Sequence, residues 1–159
     1  MTWIIRLTLH LTNKDQTGLV YRKLQDGSAE FLYLTDNVAL FRQGKFRTND
    51  YAIGFASWST GPNYVWETGD RVSQVLGDKI SRIGFHRAKG VIYGIGLNQR
   101  KLEDSAQSGL TEEYFIIKSN QIIWFNSKMD FDRFLREDLH MDSAPFEPVD
   151  RFMHNHAEP

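Results

Sequence analysis

The chain has 159 residues, of which 41% are hydrophobic and 25% charged, a balance that argues against disorder and suits a globular protein. The absence of cysteine excludes disulfide bonds and thiolate metal sites. No apolar run approaches the roughly 20 residues of a membrane-spanning helix, and the N-terminus lacks the features of a signal peptide. We therefore expect one globular domain over residues 1–142, a C-terminal tail over residues 143–159, no membrane contact and a cytoplasmic location.

The net charge of −1 conceals an uneven distribution of charge along the chain. Residues 1–102 contain 14 basic and 8 acidic side chains (+6), whereas residues 103–159 contain 5 and 12 (−7). Such an asymmetry is typical of proteins with an anionic partner such as nucleic acid. It also fits two halves that attract each other within the fold or across a dimer.

The first part of the chain predicts an antiparallel meander, because runs of alternating or β-favouring residues are separated by turn signals. Thr35 and Asp36 can cap a short helix over residues 37–43, which Gly44 would end. The predicted strands of this part cover residues 3–12, 19–24, 29–34 and 51–58.

A cluster of chain-breaking residues over Ser59–Asn63 predicts a loop, and three aromatic residues flank it. Aromatic side chains at the edge of a surface loop either fold back onto the core or stack on a planar ligand. The candidate stacking residues are Trp58, Tyr64 and Trp66.

The stretch over residues 80–97 predicts a β-hairpin with a polar turn at residues 87–90. From Lys79 to Leu102 the chain contains six basic side chains and no carboxylate, a composition typical of a phosphate-binding surface. Gly94 and Gly96 point to one face of the second strand, so another element or a ligand must lie close to the backbone there. The candidate nucleic-acid-binding residues are Arg82, His86, Arg87, Lys89, Arg100 and Lys101.

The last third of the chain predicts a polar loop over residues 98–109, a second hairpin over residues 114–125 and a helix from Ser127 to about His140. The count of elements predicts an α+β domain with a strongly curved, mainly antiparallel sheet or a small, partly open β-barrel. Beyond its meander and hairpins, this domain would contain one C-terminal helix and a short helix near residues 37–43.

Asp150, His154 and His156 form the best candidate set of metal ligands, but they fall in the predicted tail. Two histidines with one loosely spaced carboxylate do not form a metal-binding motif, and no nucleotide-cofactor fingerprint is present. The sequence therefore predicts no metal and no cofactor, and it carries no signal for an oligomeric state.

Three separated segments support an enzymatic alternative: Val20–Lys23, Phe55–Thr60 and Glu112–Ile117. In order and spacing they resemble the Arg, Ser-Thr-Ser and Glu-x-Glu segments of ADP-ribosyltransferases. The resemblance implies that Arg22 holds the phosphates of NAD and that Ser57 or Ser59 braces its nicotinamide. It also implies that Glu113 stabilises the cationic ribose.

The charge pattern also supports a third alternative, an inhibitor or immunity-type protein that binds one protein partner. Its acidic half could cover a cationic active site or imitate a phosphate backbone. The acidic side chains in question include Glu112, Glu113, Asp130, Asp132, Glu137 and Asp138. The function that we expect from the sequence is a small non-enzymatic module that binds nucleic acid through the basic hairpin and the aromatic-flanked loop.

Overall fold

The computed structural model describes residues 10–14, 19–24, 29–43, 50–58, 70–104, 111–142 and 144–157. Its strands are β1 (His10–Lys14), β2 (Val20–Leu24), β3 (Ala29–Tyr33), β4 (Val38–Gln43), β5 (Ala52–Trp58), β6 (Asp70–His86), β7 (Val91–Asn98), β8 (Glu113–Lys118), β9 (Gln121–Phe125) and β10 (Glu147–Pro148). Its helices are α1 (Gln99–Asp104), α2 (Lys128–Glu137) and α3 (Val149–Ala157), and a 3-10 turn covers Arg87–Lys89.

The strands form one antiparallel sheet in which β1 to β9 lie side by side in chain order. The short strand β10 pairs with the second half of β6 and lies off this path. The sheet is curved and unclosed, and the described helices pack near its C-terminal half. The predicted fold class, α+β with a strongly curved and mainly antiparallel sheet, is confirmed.

Strand β6 joins two halves of the sheet because its first half pairs with β5 and its second half with β7. The register shifts between these halves, where Lys79 has a left-handed backbone with φ +47°. The carboxylate of Asp78 accepts a hydrogen bond of 2.7 Å from the backbone N–H of Lys79, and the N–H of Ile80 donates to the carbonyl of Tyr51. These bonds stabilise a bend in the middle of a strand of 17 residues.

A single contact shows how strongly the first half of the sheet is curved. Arg22 on β2 and Asp70 on β6 lie four strands apart, which is about 19 Å in a flat sheet. The Nε atom of Arg22 nevertheless lies 2.9 Å from Oδ1 of Asp70. Two side chains cannot span the flat distance, so the sheet curls toward the face that carries this pair.

The core has three parts that follow the two faces of the sheet. One face, called the α3 face, buries side chains from β2 to β8 together with Val149, Phe152 and Met153 of α3. On the opposite face, β7 and β8 pack against Phe131 and Leu135 of α2. The third part of the core lies on that opposite face over β3 to β5 and contains Phe31, Tyr33, Ala39, Phe41 and Ala56.

The short helix predicted near residues 37–43 is wrong, because these residues form strand β4. Val38 and Leu40 face the α3 core, whereas Ala39 and Phe41 face the other side, so the apolar run is buried on both faces. The hydroxyl of Thr35 does accept a hydrogen bond from the N–H of Val38, but it belongs to a turn before a strand.

Other sequence predictions have mixed outcomes. Both predicted hairpins and the helix that Ser127 caps are present, and the hydroxyl of Ser127 accepts a hydrogen bond from the N–H of Asp130. The predicted polar loop over residues 98–109 begins instead with helix α1. The predicted strand over residues 3–12 is described only from His10 onward, where it belongs to β1.

The structure also corrects the interpretation of residues 143–159 as a tail. The described residues of this segment include strand β10 and helix α3. Val149, Phe152 and Met153 are at most 6% exposed and belong to the core of the α3 face. Their spacing of three and four residues is typical of an apolar helix face. The prolines that precede them in the sequence led to the prediction of a tail.

The bare face of Gly94 and Gly96 is filled by the protein itself. A Cβ atom on Gly94 would lie 2.4 Å from the carbonyl oxygen of Arg82 and 2.7 Å from the ring of Phe115. A Cβ atom on Gly96 would lie 2.6 Å from the side chain of Ile80. These glycines therefore permit close packing within the sheet and do not mark a ligand site.

Candidate nucleic-acid interface

The tip of the β6–β7 hairpin is a rigid turn, here called the hairpin tip (His86–Gly90). The Nδ1 atom of His86 accepts a hydrogen bond of 3.3 Å from the backbone N–H of Lys89. Gly90 has a left-handed backbone with φ +62°, and its N–H donates to the carbonyl of Arg87. The turn therefore has a fixed backbone, and the side chains of Arg87 and Lys89 are exposed.

Five of the six predicted nucleic-acid-binding residues lie in two groups at opposite ends of β7, and Arg82 lies between these groups. His86, Arg87 and Lys89 belong to the hairpin tip, and exposed Arg82 pairs with Ile95 in the register of β6 and β7. The other group, Arg100 and Lys101, lies in α1 after the far end of β7. Because β7 spans seven residue steps, the two groups are separated by about 23 Å of strand.

The two groups differ in how their charge is used. Lys101 forms an ion pair of 2.9 Å with Glu113, whose side chain is 7% exposed, so part of the positive charge of α1 is neutralised. Arg100 is exposed, and its backbone N–H donates to the side chain of Asn98 at the helix start. Because Arg82, Arg87 and Lys89 are exposed and belong to a segment without a carboxylate, the hairpin tip with Arg82 is the main candidate for contact with an anion, and Arg100 lies beyond the far end of β7.

A cavity of about 420 Å³ opens beside the hairpin tip, between the end of β6, helix α3 and the segment before β10. This is the size of pocket that typically holds a small organic ligand. Among the described residues its lining is mostly apolar and aromatic, with four ionisable side chains. The lining residues are Leu19, Gly84, Phe85, Arg87, Tyr93, Pro145, Glu147, Phe152 and His156.

Gly84 allows the segment before β10 to lie directly against the hairpin. A Cβ atom at this position would lie 2.4 Å from the ring of Tyr93 and 2.6 Å from the carbonyl oxygen of Pro145. The hydroxyl of Tyr93 donates a hydrogen bond of 3.2 Å to that same carbonyl, and burial raises the pKa of Tyr93. This side of the cavity is therefore tightly packed.

Most of the residues that line the cavity are absent from the binding residues predicted from the sequence. Phe85 and Tyr93 were interpreted only as strand residues, and Phe152 and His156 were assigned to a tail. In the structure the rings of Phe152 and His156 have centroids 4.5 Å apart on one side of α3. Their spacing of four residues was the available signal, since residues at i and i+4 lie on one face of a helix.

The structure places Trp58 away from the hairpin tip. Trp58 pairs with Asp70 at the first residue of β6, whereas the hairpin tip follows the last residue of that strand. Its ring packs against Tyr33, with centroids 4.4 Å apart, and the guanidinium of Arg22 lies 5.2 Å from its centroid. The other two predicted stacking residues, Tyr64 and Trp66, lie outside the described residues.

Trp58 belongs instead to a buried polar cluster, here called the sealed cluster (Arg22, Tyr33, Trp58 and Asp70). Oδ1 of Asp70 accepts hydrogen bonds from Nε of Arg22 at 2.9 Å and from the hydroxyl of Tyr33 at 2.6 Å. The side chains of Arg22 and Asp70 are 3% and 2% exposed. Burial raises the pKa of Asp70, although both hydrogen bonds favour its charged form, and burial beside Asp70 raises the pKa of Tyr33.

The residues of the transferase alternative do not form one site. Side chains along β8 alternate between the α3 face and the face covered by α2, and this alternation places Glu113 on the α3 face. Arg22 lies in the sealed cluster, on the opposite face of the sheet. Glu113 is engaged by Lys101. Ser57 is exposed on β5, and Ser59 lies outside the described residues.

The acidic surface expected for the inhibitor alternative is interrupted by cations. On α2, Lys128 forms an ion pair of 2.7 Å with Asp132, and Arg133 lies 3.6 Å from Asp130. Exposed Arg136 precedes Glu137 and Asp138 on the same helix. The remaining acidic candidate, Glu112, is exposed next to buried Glu113. The helix surface is therefore of mixed sign and does not imitate a row of phosphates.

A second buried carboxylate, Glu30, is fully engaged by its neighbours. Its oxygens accept hydrogen bonds from the hydroxyls of Tyr21 and Tyr51 at 3.3 and 2.8 Å and from Nη2 of Arg42 at 3.2 Å. Burial, followed by the interaction with Glu30, raises the pKa of both tyrosines. This cluster braces β2, β3, β4 and the start of β5.

Within the described ranges, no three histidine and acidic side chains lie close enough to hold a metal ion together. His154 is exposed on α3, whereas His156 turns toward Phe152 and the cavity. The helices of the described segments are also too short or too polar to cross a membrane. In comparisons with known proteins, no family model, no curated protein and no solved structure matches this chain.

Proposed function

We propose that this protein is a non-enzymatic module that binds nucleic acid through the hairpin tip and Arg82. The observation that supports the proposal best is the fixed turn, which presents two exposed basic side chains on a backbone held by His86 and Gly90. A phosphate contact from a pre-ordered turn costs little conformational entropy, so more of the interaction energy contributes to affinity.

The charge around the turn supports the same proposal. From Lys79 to Leu102 the chain contains no carboxylate, and the acidic residue of β10 that pairs with this segment is Glu147, opposite Ile83. Exposed Arg82 lies four to five residues before the turn on β6, and exposed Arg100 lies beyond the other end of β7. Cations spaced along one hairpin can contact successive phosphates of a strand.

The test is a fluorescence-anisotropy titration with labelled single-stranded and double-stranded DNA and RNA at 50 and 200 mM salt. The proposal expects binding at low salt that weakens steeply at high salt, because each phosphate contact releases a counterion. The double variant Arg82→Gln/Lys89→Gln should weaken binding by roughly tenfold or more. It should also reduce the slope of log affinity against log salt concentration by about one for each phosphate contact that is lost.

Lys128→Gln is the matched control, since Lys128 is an exposed cation on α2 that is paired with Asp132 and lies outside the hairpin. The affinity of this variant for the oligonucleotides should equal that of the wild type. Absence of binding at 50 mM salt, or equal losses in the control and the hairpin variant, would refute the proposal.

A further inference from the structure

We infer that the cavity beside the hairpin tip binds an aromatic anion of nucleotide size, either a free nucleotide or an unpaired nucleotide of a strand. The inference deepens the proposed function because Arg87 belongs to both the hairpin tip and the cavity wall. It depends on the nature of the cavity walls and on the position of the two opposite charges.

The walls are suited to a flat ring. Phe85, Tyr93 and Phe152 line the cavity, and the ring of His156 lies against that of Phe152 at 4.5 Å between centroids. Aromatic walls bury a planar heterocycle through dispersion and stacking, without selecting one base by hydrogen bonding alone. The volume of about 420 Å³ is within the range of pockets that hold small organic molecules.

The two charged groups of the wall, Arg87 and Glu147, come from different elements. Glu147 pairs with Ile83 in the register of β10 and β6, whereas Arg87 follows four residues later along the hairpin. The three strand steps from Ile83 to His86 correspond to about 10 Å, and Arg87 begins the turn that follows. A ligand with an anionic group near Arg87 and hydrogen-bond donors near Glu147 can contact both side chains, and a nucleotide carries its phosphate and the polar edge of its base at opposite ends.

The carboxylate of Glu147 favours bases that carry an amino group. Its Oε1 atom already accepts a hydrogen bond of 3.0 Å from Nδ2 of Asn155, which fixes the orientation of the carboxylate. A carboxylate accepts hydrogen bonds and repels carbonyl oxygens, so adenine, cytosine and guanine should bind better than uracil.

The test uses isothermal titration calorimetry with AMP, CMP, GMP, UMP and inorganic phosphate, beside an oligonucleotide titration of the same protein. The inference expects binding of the amino-bearing nucleotides, weaker binding of UMP and no comparable binding of inorganic phosphate. Arg87→Gln and His156→Ala should each weaken nucleotide binding by about tenfold, and Glu147→Gln should narrow the difference between GMP and UMP. Arg151→Gln, an exposed cation of α3 outside the cavity wall, is the control and should change nothing.

The outcomes separate this inference from the proposed function. Oligonucleotide binding without nucleotide binding, and without an effect of His156→Ala, would overturn the cavity site and leave the hairpin interface intact. Nucleotide binding without oligonucleotide binding would support the cavity site for free nucleotides and overturn the proposed function. If inorganic phosphate bound as tightly as the nucleotides, the inference would be overturned, because the aromatic walls would then contribute nothing to the affinity.

Discussion

The sealed cluster and the hairpin tip lie at opposite ends of the same strand, β6, and differ in the exposure of their basic side chains. Arg22 is buried and bound to Asp70, with Tyr33 and Trp58 around the pair. Arg87 and Lys89 are exposed on a turn beside a cavity. The comparison teaches that a basic residue becomes a structural contact where the curled sheet buries it and a candidate binding group where a turn exposes it.

The curvature of the first half of the sheet produces the sealed cluster, whereas the turn at the end of β6 produces the hairpin tip. In the first half of the sheet, four strand spacings are curled enough for β2 and β6 to exchange an ion pair. Beyond the bend at Lys79, β6 pairs with β7 and with the short strand β10, and it ends in the exposed turn of the hairpin tip. We therefore expect the first region to determine stability and the second to determine binding.

The largest expected effect comes from breaking the ion pair of the sealed cluster. Arg22→Met leaves Asp70 as a buried charge without its cation and should lower the free energy of unfolding by about 3–5 kcal/mol. Arg82→Met, at an exposed strand position of the second region, should change it by only about 0.5 kcal/mol or less. Urea denaturation followed by circular dichroism measures both values.

A double variant sharpens this comparison. Arg22→Met/Asp70→Leu removes both charges and should recover most of the loss, because no unpaired charge then remains in the interior. If Arg22→Met costs no more than Arg82→Met, the cluster is not sealed and the proposed contrast between the two regions fails.

The second prediction concerns alkaline pH. Because the pKa values of buried Tyr33, Tyr21 and Tyr51 are raised in the folded protein, these groups keep their protons above pH 10 when the unfolded chain releases them. Their stabilising contribution is therefore complete below about pH 10 and is lost as the pH rises further. Above about pH 10, ionisation of each of these tyrosines in the unfolded chain should lower the free energy of unfolding by about 1.4 kcal/mol per pH unit.

Tyr33→Phe isolates the share of the sealed cluster. The variant lacks the hydrogen bond to Asp70, so it should be less stable at neutral pH, but its stability should fall less steeply between pH 10 and 11.5. Binding to the hairpin tip at neutral pH should be unchanged. Identical slopes for the variant and the wild type would show that Tyr33 is accessible to solvent and that the cluster is open.

The smallest effect is expected at the bend between the two regions. Lys79 has φ +47°, a conformation that is unfavourable for a residue with a Cβ atom, so Lys79→Gly should be neutral or stabilise the fold by up to about 1 kcal/mol. The same replacement at Lys118, on the regular strand β8, should destabilise it by about 0.5–1 kcal/mol. Thermal denaturation compares the two variants, and a loss at position 79 as large as at position 118 would contradict a strained bend.

The sequence was sufficient for the local elements whose signals are contiguous. The turn residues around Arg87, the positive-φ turn at Ser119 and Asn120, and the capping hydroxyl of Ser127 each act over a few residues. Residues 37–43 were assigned to the wrong class because an apolar run that is buried on both faces of a sheet has no period of two.

Contacts between distant segments could not be predicted in the same way. The pairing of Arg22 with Asp70 depends on curvature summed over four strand spacings. The cavity depends on α3 returning to the hairpin, which brings His156 close to Phe85 and Arg87. In a single sequence nothing indicates which faces meet, so Trp58 was assigned to a ligand although it packs beside Arg22.

The most direct test of the proposed contrast is amide hydrogen exchange, read by mass spectrometry, with and without a saturating single-stranded oligonucleotide. We expect slower exchange in peptides that cover residues 82–91 when the oligonucleotide is bound. Peptides that cover β3 and β4 should show no change, because these strands are buried in the core in the free protein as well. Unchanged exchange at residues 82–91 in the bound protein, or protection confined to α2, would contradict the proposed contrast.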